Sequence, residues 1–388
     1  MLYQEARDFI AKHTNIVELT NQDGARVVVA PAWQGRVMTS TVGGPQGPSF
    51  GFVNSDFIAS GKVDPQFNNY GAEDRFWLCP EGGQFSLWFE AGAKQVLDNW
   101  HTPAAIDRGP WNVASQSDDA VLRMTTAMEF RNTAGTTFKL DVARDVRLLA
   151  FADYRELFGA SAAVTMTAPG VKIVGYETAN QITNRGSALS KKTGLVSIWI
   201  LGMLNPGPET VLVCPYKPGP EEKLGPVVKS DYGSPAPPER LKVLPQAVLF
   251  RTDAQCRSKI GLSQQRARNI FGSIDFQAGV LTLIAFTMPE DPTKHNYLNN
   301  IWEATQAEPY KGDVINSYND GANETGHRFG PFYEVESISP APELKTGETL
   351  AHRHSTIHIQ ADAETLATLA KDILGVDLAT VRKSMLAK

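Results

Sequence analysis

The sequence predicts an all-β protein, a two-sheet antiparallel sandwich with short peripheral helices at both termini. Three observations lead to this fold class. Apolar residues recur at a period of two over many short segments, and turn-forming residues separate those segments. The chain is rich in Gly, Pro and Phe, with 32, 24 and 18 of 388 residues, as expected for short strands joined by turns. Strands and helices do not alternate along the chain in the way that a parallel sheet requires.

The first element expected is an amphipathic helix over residues 2–13, because Ala6, Phe9 and Ile10 fall at helical spacing. From about residue 26 the period changes to two, and a succession of strands is predicted. These strands cover residues 26–30, 84–89, 121–130, 137–149, 171–177, 195–201, 210–214, 246–250, 280–286, 332–338 and 355–360.

Two helical stretches follow in the last quarter of the chain. Apolar residues at helical spacing predict one helix over residues 292–305. The tail 362–386 predicts two more helices: Asp362 caps the first, Gly375 ends it, and Asp377 caps the second.

Residues 216–240 contain six prolines and predict a long irregular loop, which is either a lid over a functional site or a mobile segment. The strands otherwise follow one another with no linker between them. We therefore expect the chain, residues 1–388, to form a single β-sandwich domain.

Composition and charge bound the classes of function. A net charge of −5 argues against a nucleic-acid partner, which requires a basic surface. No run of 18 apolar residues occurs, so no membrane partner is expected, and the first residues lack the apolar core of a signal peptide. The cysteines (Cys79, Cys214, Cys256) lie far apart, which predicts buried, reduced thiols and a cytoplasmic location.

Residues 71–77, Gly-Ala-Glu-Asp-Arg-Phe-Trp, combine charges, aromatic rings and glycine in the way that sugar sites do. The side chains of Asp74 and Arg75 can hydrogen-bond pairs of sugar hydroxyls, and Trp77 can cover the apolar face of a sugar ring. We therefore take these three as candidate substrate-binding residues. The alternative is a structural ion pair that holds a turn, with Trp77 in the core.

A second candidate lies in the predicted strand 332–338. Strand geometry places Glu334 and Glu336 on the same face, two residues apart. Two neighbouring carboxylates repel each other and separate their pKa values, which suits acid–base catalysis. The alternative is a solvated polar face.

Histidines form a third group. His352, His354 and His358 share one face of a predicted strand, and His-x-His on a strand is a metal-ligand geometry. The glutamate that would complete a metal motif is missing, so we interpret the three as a solvent-facing strand edge and expect no metal or cofactor. His101 and His327 lie in loop-like segments that can line a pocket.

The segments Val335-Glu336-Ser337-Ile338-Ser339-Pro340 and Leu344-Lys345-Thr346-Gly347-Glu348 resemble the last strands of the galactose mutarotase (aldose 1-epimerase) superfamily. There a Leu-Glu-Thr-Gln-x-x-Pro strand carries the catalytic glutamate. Asp74-Arg75 is similar to the family's early Asn-Arg, whose arginine holds the sugar. The surrounding segment, residues 71–77, resembles a signature found in a bacterial branch of mutarotase-like proteins. The resemblance implies an antiparallel supersandwich that acts on a small-molecule carbohydrate.

By this resemblance Glu336 is the candidate general base, and Asp74-Arg75 lies at the substrate. We expect Glu334, Trp77 and His327, selected above from their positions in the sequence, to lie around the substrate as well. The family's acid histidine is replaced by Gln181 in the nearest match, residues 178–184. We therefore expect His101, or else His327, to donate the proton, with weak or no activity on common aldoses.

Three functions remain open at this stage. The first is a sugar epimerase or isomerase, and the second a sugar-binding protein without catalysis. The third is a metal-dependent β-sandwich enzyme that uses His352 and His354.

Overall fold

The computed structural model describes residues 1–117, 121–323 and 325–386. The strands of this part, in chain order, are β1 (Val17–Thr20), β2 (Arg26–Ala30), β3 (Arg36–Thr41), β4 (Arg75–Cys79), β5 (Asn112–Ser117), β6 (Val121–Arg131), β7 (Thr137–Leu148), β8 (Lys172–Asn184), β9 (Ser197–Leu204), β10 (Thr210–Pro215), β11 (Leu241–Val243), β12 (Ala247–Arg251), β13 (Ser258–Ser263), β14 (Ile270–Asp275), β15 (Val280–Phe286), β16 (Asp313–Asn319), β17 (Tyr333–Ile338) and β18 (Thr349–Gln360).

The helices are α1 (Tyr3–His13), α2 (Ser55–Ser60), α3 (Ala104–Asp107), α4 (Phe151–Phe158), α5 (Ala160–Met166), α6 (Glu221–Leu224), α7 (Ala363–Leu369) and α8 (Leu378–Leu386). Short 3₁₀ turns lie at Leu97–Asn99 and Pro292–Lys294, and a π-helical turn at Ala370–Leu374 follows α7.

Two large antiparallel sheets form the body of the molecule. The ten-stranded sheet has the order β11-β12-β10-β14-β15-β18-β8-β7-β6-β5, and the five-stranded sheet has the order β13-β16-β17-β9-β4. A small sheet, β1-β2-β3, precedes them. The all-β, two-sheet antiparallel architecture that the sequence predicts is therefore confirmed, and the small third sheet is an addition.

Helices cover the outside of the sheets, and those at the two termini were predicted. Helices α4, α5, α7 and α8 bury apolar side chains against the outer face of the ten-stranded sheet, and α1 packs on the small sheet. The predicted limits of the tail helices are confirmed. Asp362 accepts a hydrogen bond from the amide of Thr365, Gly375 adopts a left-handed conformation with φ of 70°, and Asp377 accepts from the amide of Thr380.

The predicted helix over 292–305 is wrong beyond its first turn. The Asn299 side chain accepts from the amide of Ile301, and the Asn300 side chain accepts from the amide of Glu81. Such local bonds from side chain to backbone compete with the helix. The chain also passes so close to Gly82 that a Cβ there would lie 2.1 Å from the Ile301 carbonyl oxygen.

The predicted strand over 84–89 is also wrong. The hydroxyl of Ser86 accepts from the amide of Trp88, and the amide of Leu87 donates to the carbonyl of Pro80. The segment folds back as a compact turn, while its apolar side chains enter the core. Helices α4 and α5 were missed by the sequence analysis.

A buried ion pair joins the two large sheets. Arg144 on β7 donates to the carboxylate of Asp74, which directly precedes β4, and both side chains are fully buried. Arg144 also donates to the Asn180 amide oxygen at 2.6 Å, and Thr178 donates to Asp74 at 3.0 Å. Every group that the pair removes from water therefore finds a polar partner.

The interpretation of the β18 histidines as a solvent-facing edge is wrong. His352, His354 and His358 are at most 1% exposed, because β18 is an interior strand whose histidine face meets the five-stranded sheet. His352 and His354 each hydrogen-bond the Ser337 hydroxyl at 2.8 Å, and His358 bonds Glu73 at 2.9 Å. Burial lowers the pKa of His352 to about 3 and that of His354 to about 4.

We predict that Arg144→Leu lowers the free energy of unfolding by about 3–5 kcal/mol, because it leaves the Asp74 carboxylate buried without its charge partner. Urea unfolding followed by tryptophan fluorescence measures the change. The matched control is Arg123→Ala, which breaks an Arg–Asp pair whose side chains are 63% and 37% exposed. We expect about 0–1 kcal/mol there. Equal losses of unfolding free energy in the two variants would contradict the importance of the buried Asp74–Arg144 pair for stability.

Candidate functional site

A cavity of about 620 Å³ lies on the face of the five-stranded sheet that is turned away from the ten-stranded sheet. Strand alternation explains this placement. On β17 the side chains of Tyr333 and Ser337 contact the ten-stranded sheet, through Ser273 and the histidines of β18. Glu334 and Glu336 therefore lie on the opposite side, with the cavity.

Aromatic rings form much of the wall. The ring centroids of Trp100 and Trp302 lie 6.3 Å apart with 25° between their planes, and Phe67 packs edge-on against Trp77 at 5.8 Å. The aromatic residues of the wall include Phe67, Trp77, Trp100, Trp199, Trp302 and Phe329. Such a surface suits a ligand with apolar faces and polar edges.

Arg75 and Glu334 form an ion pair at the base of the cavity. The Arg75 guanidinium also lies over the Trp77 ring, 4.8 Å from its centroid. Within the described residues, the Nε and Nη1 atoms of Arg75 have no hydrogen-bond partner. Burial raises the pKa of Glu334 to about 7, Arg75 opposes this shift, and Glu336 adds to it.

Lys259 and Glu336 form a second ion pair beside the first, with 3.2 Å between Nζ and Oε2. The Trp199 indole donates to the same carboxylate at 2.9 Å. Burial raises the pKa of Glu336, against the opposing effect of Lys259. Burial alone would lower the pKa of Lys259, but the carboxylates of Glu336, Glu81 and Glu334 raise it overall, so Lys259 carries its charge.

Glu81 is a further carboxylate on the cavity wall. Its Oε1 accepts from the Trp100 indole at 2.9 Å, and burial raises its pKa. The sequence analysis did not select Glu81, Trp100, Trp199 or Lys259. Glu81 follows closely on the 71–77 segment and Trp100 precedes His101, so those two carried a signal. Trp199 and Lys259 reach the site only through the pairing of distant strands, and the sequence carries no local signal for that pairing.

The residues that the sequence selected fall into three groups. Arg75, Trp77 and Glu334 line the cavity. Asp74 and Glu336 have no exposed surface: Asp74 belongs to the pair with Arg144, and Glu336 lies beneath Lys259 and Trp199.

Three other polar side chains do not line the cavity. His101 and His327 are exposed and are not among the described residues that line it. Gln181 is exposed on β8, in the other sheet. The position that the resemblance equates with the family's acid histidine is therefore remote from the carboxylates.

Part of the proline-rich loop covers the cavity. Residues 231–234 line it, and the loop is irregular apart from α6. The Tyr232 hydroxyl bonds Asp313 and accepts from the Asn316 amide, while Lys229 pairs with Asp313 at 3.0 Å. These contacts hold the loop against β16, and its role as a lid stays a prediction.

Neither a metal cluster nor a membrane span is found in the described ranges. No group of three His, Cys, Asp or Glu side chains there could hold a metal ion. No helix of that part is long and apolar enough to cross a membrane.

Comparison with known proteins places this geometry in a fold. A family model described as "Family of unknown function (DUF6786)" matches residues 1–385. No curated protein matches the chain. The structure is similar to the Slr1438 protein from Synechocystis sp. PCC 6803, with a TM-score of 0.51, 11% identity, and coverage of 90% of this chain and 96% of that chain.

A galactose mutarotase-like protein from Lactobacillus casei ATCC 334 is also similar, with a TM-score of 0.50 and 10% identity over 89% of this chain and 100% of that chain. At these identities the likeness shows the fold alone. The fold is galactose mutarotase-like, as the resemblance implied.

The raised pKa of Glu334 predicts a dependence of stability on pH. The folded state holds this proton up to about pH 7, whereas the unfolded state releases it near 4.5. The unfolded state therefore binds fewer protons over this window, so stability falls as the pH rises from about 4.5 to 7. We expect wild type to lose stability relative to Glu334→Gln across this range in urea unfolding. Glu308→Gln, at an exposed position, controls for the loss of one carboxylate. A constant difference between wild type and Glu334→Gln would contradict the shift.

Proposed function

The chain belongs to the DUF6786 family of unknown function, and we propose that it binds a monosaccharide in the large cavity and assists proton transfer at the anomeric centre. The observation that carries this proposal is the Arg75–Glu334 pair, set among indole and phenyl rings in one cavity of about 620 Å³. This size falls within the range of small-molecule sites.

Recognition would combine two kinds of contact. The aromatic faces cover the C–H surfaces of a sugar ring, while Arg75 and the carboxylates exchange hydrogen bonds with its hydroxyls. The unpaired Nε and Nη1 atoms of Arg75 are donors that a bound hydroxyl, or water, can satisfy after a small movement of the side chain.

Of the two β17 carboxylates, Glu334 is the one placed for proton transfer, because its side chain lines the cavity and that of Glu336 does not. With a pKa of about 7 it is present in both protonation states near neutral pH, which is the condition for an efficient general acid or base. Glu336, the base expected from the resemblance, lies behind Lys259 and stays a prediction in that role. Its position favours a part in holding Lys259 in place.

Sugar binding without catalysis is the second candidate. The observation that favours it is that His101 and His327 do not line the cavity, so neither expected acid faces a bound ring there. In the metal-dependent alternative, His352 and His354 would bind the metal. In this structure both side chains hydrogen-bond the Ser337 hydroxyl instead. Metal analysis of the purified protein tests that reading.

Calorimetry and polarimetry on the same sugars test the proposal. We expect wild type to bind an aldose such as glucose or galactose. Because Glu334 lines the cavity, we also expect it to speed the change in optical rotation, in place of the weak or absent activity expected from the sequence. Glu334→Gln should lower that rate by about 10²- to 10⁴-fold, the share of one acid–base group, while binding persists because glutamine keeps a polar side chain of equal size. Glu336→Gln, measured beside it, compares the two carboxylates, and Glu308→Gln is the exposed control.

The outcomes separate the candidates. Binding with no change in the rate of rotation would favour the non-catalytic function. If no sugar binds, the carbohydrate proposal is wrong.

A further inference from the structure

Ring opening of an aldose requires a proton for the ring oxygen as well as a base for the anomeric hydroxyl. Lys259 on β13 is a donor placed for this task. Its side chain is 14% exposed and lines the cavity. Its ammonium lies 5.0 Å from the centroid of the Trp199 ring and 5.6 Å from that of Tyr232.

The hydrogen bonding of Lys259 leaves capacity for a ligand. An ammonium group has three donors. Among the described residues its one hydrogen-bond partner is Glu336, at 3.2 Å. Two donors therefore remain for groups in the cavity. The Trp199 indole holds the same Glu336 carboxylate, which limits the positions that the lysine can take.

We infer that Lys259 is the acid that protonates the ring oxygen of a bound aldose, with Glu336 as the residue that positions it. This inference rests on the proposed function. The anomeric hydroxyl and the ring oxygen are bonded to the same carbon, so an acid and a base that serve them must be neighbours. The two ion pairs, Arg75–Glu334 and Lys259–Glu336, meet this requirement because Glu334 and Glu336 lie two residues apart on one strand face.

The proton balance closes within the site. Glu334 takes the proton of the anomeric hydroxyl, whose O–H electron pair forms the new C=O bond. The bond between the anomeric carbon and the ring oxygen breaks, its electron pair stays on that oxygen, and the oxygen receives a proton from Lys259.

Rotation about the adjacent C–C bond presents the other face of the carbonyl, and the steps then reverse. Lys259 regains its proton and Glu334 returns the proton that it took. Each residue ends in its starting state, and no other reactant is consumed.

The charge on Lys259 supports this role. Glu336, Glu81 and Glu334 raise its pKa against the effect of burial, so the proton to be donated is present at neutral pH. A strongly held proton makes a weak acid. However, the alkoxide that ring opening would leave is a stronger base than an amine, so transfer to it is favourable.

Amine rescue tests the assignment. We expect Lys259→Ala to lower the polarimetric rate by about 10²- to 10⁴-fold, with sugar still bound in calorimetry. Added methylamine or ethylamine should restore part of the rate, to an extent that varies with the pKa of the amine. Lys259→Arg keeps the charge beside Glu336 but gives up its proton far less readily, so it should be as slow as Lys259→Ala. Lys139→Ala, at an exposed lysine of β7, is the control.

The failures of the two proposals are distinguishable. Wild-type rates in Lys259→Ala or Lys259→Arg, beside an active wild type, would overturn the role of Lys259 alone. A slow Lys259→Ala that no amine rescues would overturn it too, since it would show a structural role. A wild type that speeds the rotation of no sugar overturns both proposals.

Discussion

The buried ion pair between Asp74 and Arg144 is the contact on which the arrangement of the site depends. It fixes the start of β4 against the ten-stranded sheet, with both charges fully removed from water. Because side chains alternate along a strand, Arg75 and Trp77 then turn to the other face and enter the cavity. Glu73, one residue earlier, bonds His358 of the same sheet. Three consecutive charged residues thus have three separate partners, two for the fold and one for the site.

Much of the fold could be predicted from local patterns. The long strands β6 and β7 alternate clearly between buried and exposed residues, and the tail helices carry their own caps. The prediction of a helix over residues 292–305 failed. The spacing of the apolar residues there suits a helix, but the side chains of Asn299 and Asn300 bind backbone groups instead. The burial of His352 could not be foreseen, since it depends on β18 lying inside a ten-stranded sheet, which is a property of distant pairings.

The site was predictable in part, for a related reason. The face shared by Glu334 and Glu336 follows from strand geometry, and the 71–77 segment is dense in suitable side chains. Which carboxylate reaches the cavity is decided by tertiary contacts: Lys259 and Trp199 cover Glu336 and leave Glu334 open. Gln181 was selected through the resemblance and the two histidines through their loop-like segments, but the position of an acid in space is not given by a motif. No local sequence pattern marked Lys259 as a site residue. Its role follows from three neighbouring carboxylates, which raise its pKa.

The central claim is that the cavity over the five-stranded sheet binds a sugar ring, and a crystal structure of the protein soaked with an aldose tests it most directly. The prediction is density for one ring between the aromatic walls, with its anomeric oxygens within hydrogen-bonding distance of Glu334 and Lys259. A ring bound elsewhere on the molecule, or an empty cavity at saturating sugar, would contradict the claim.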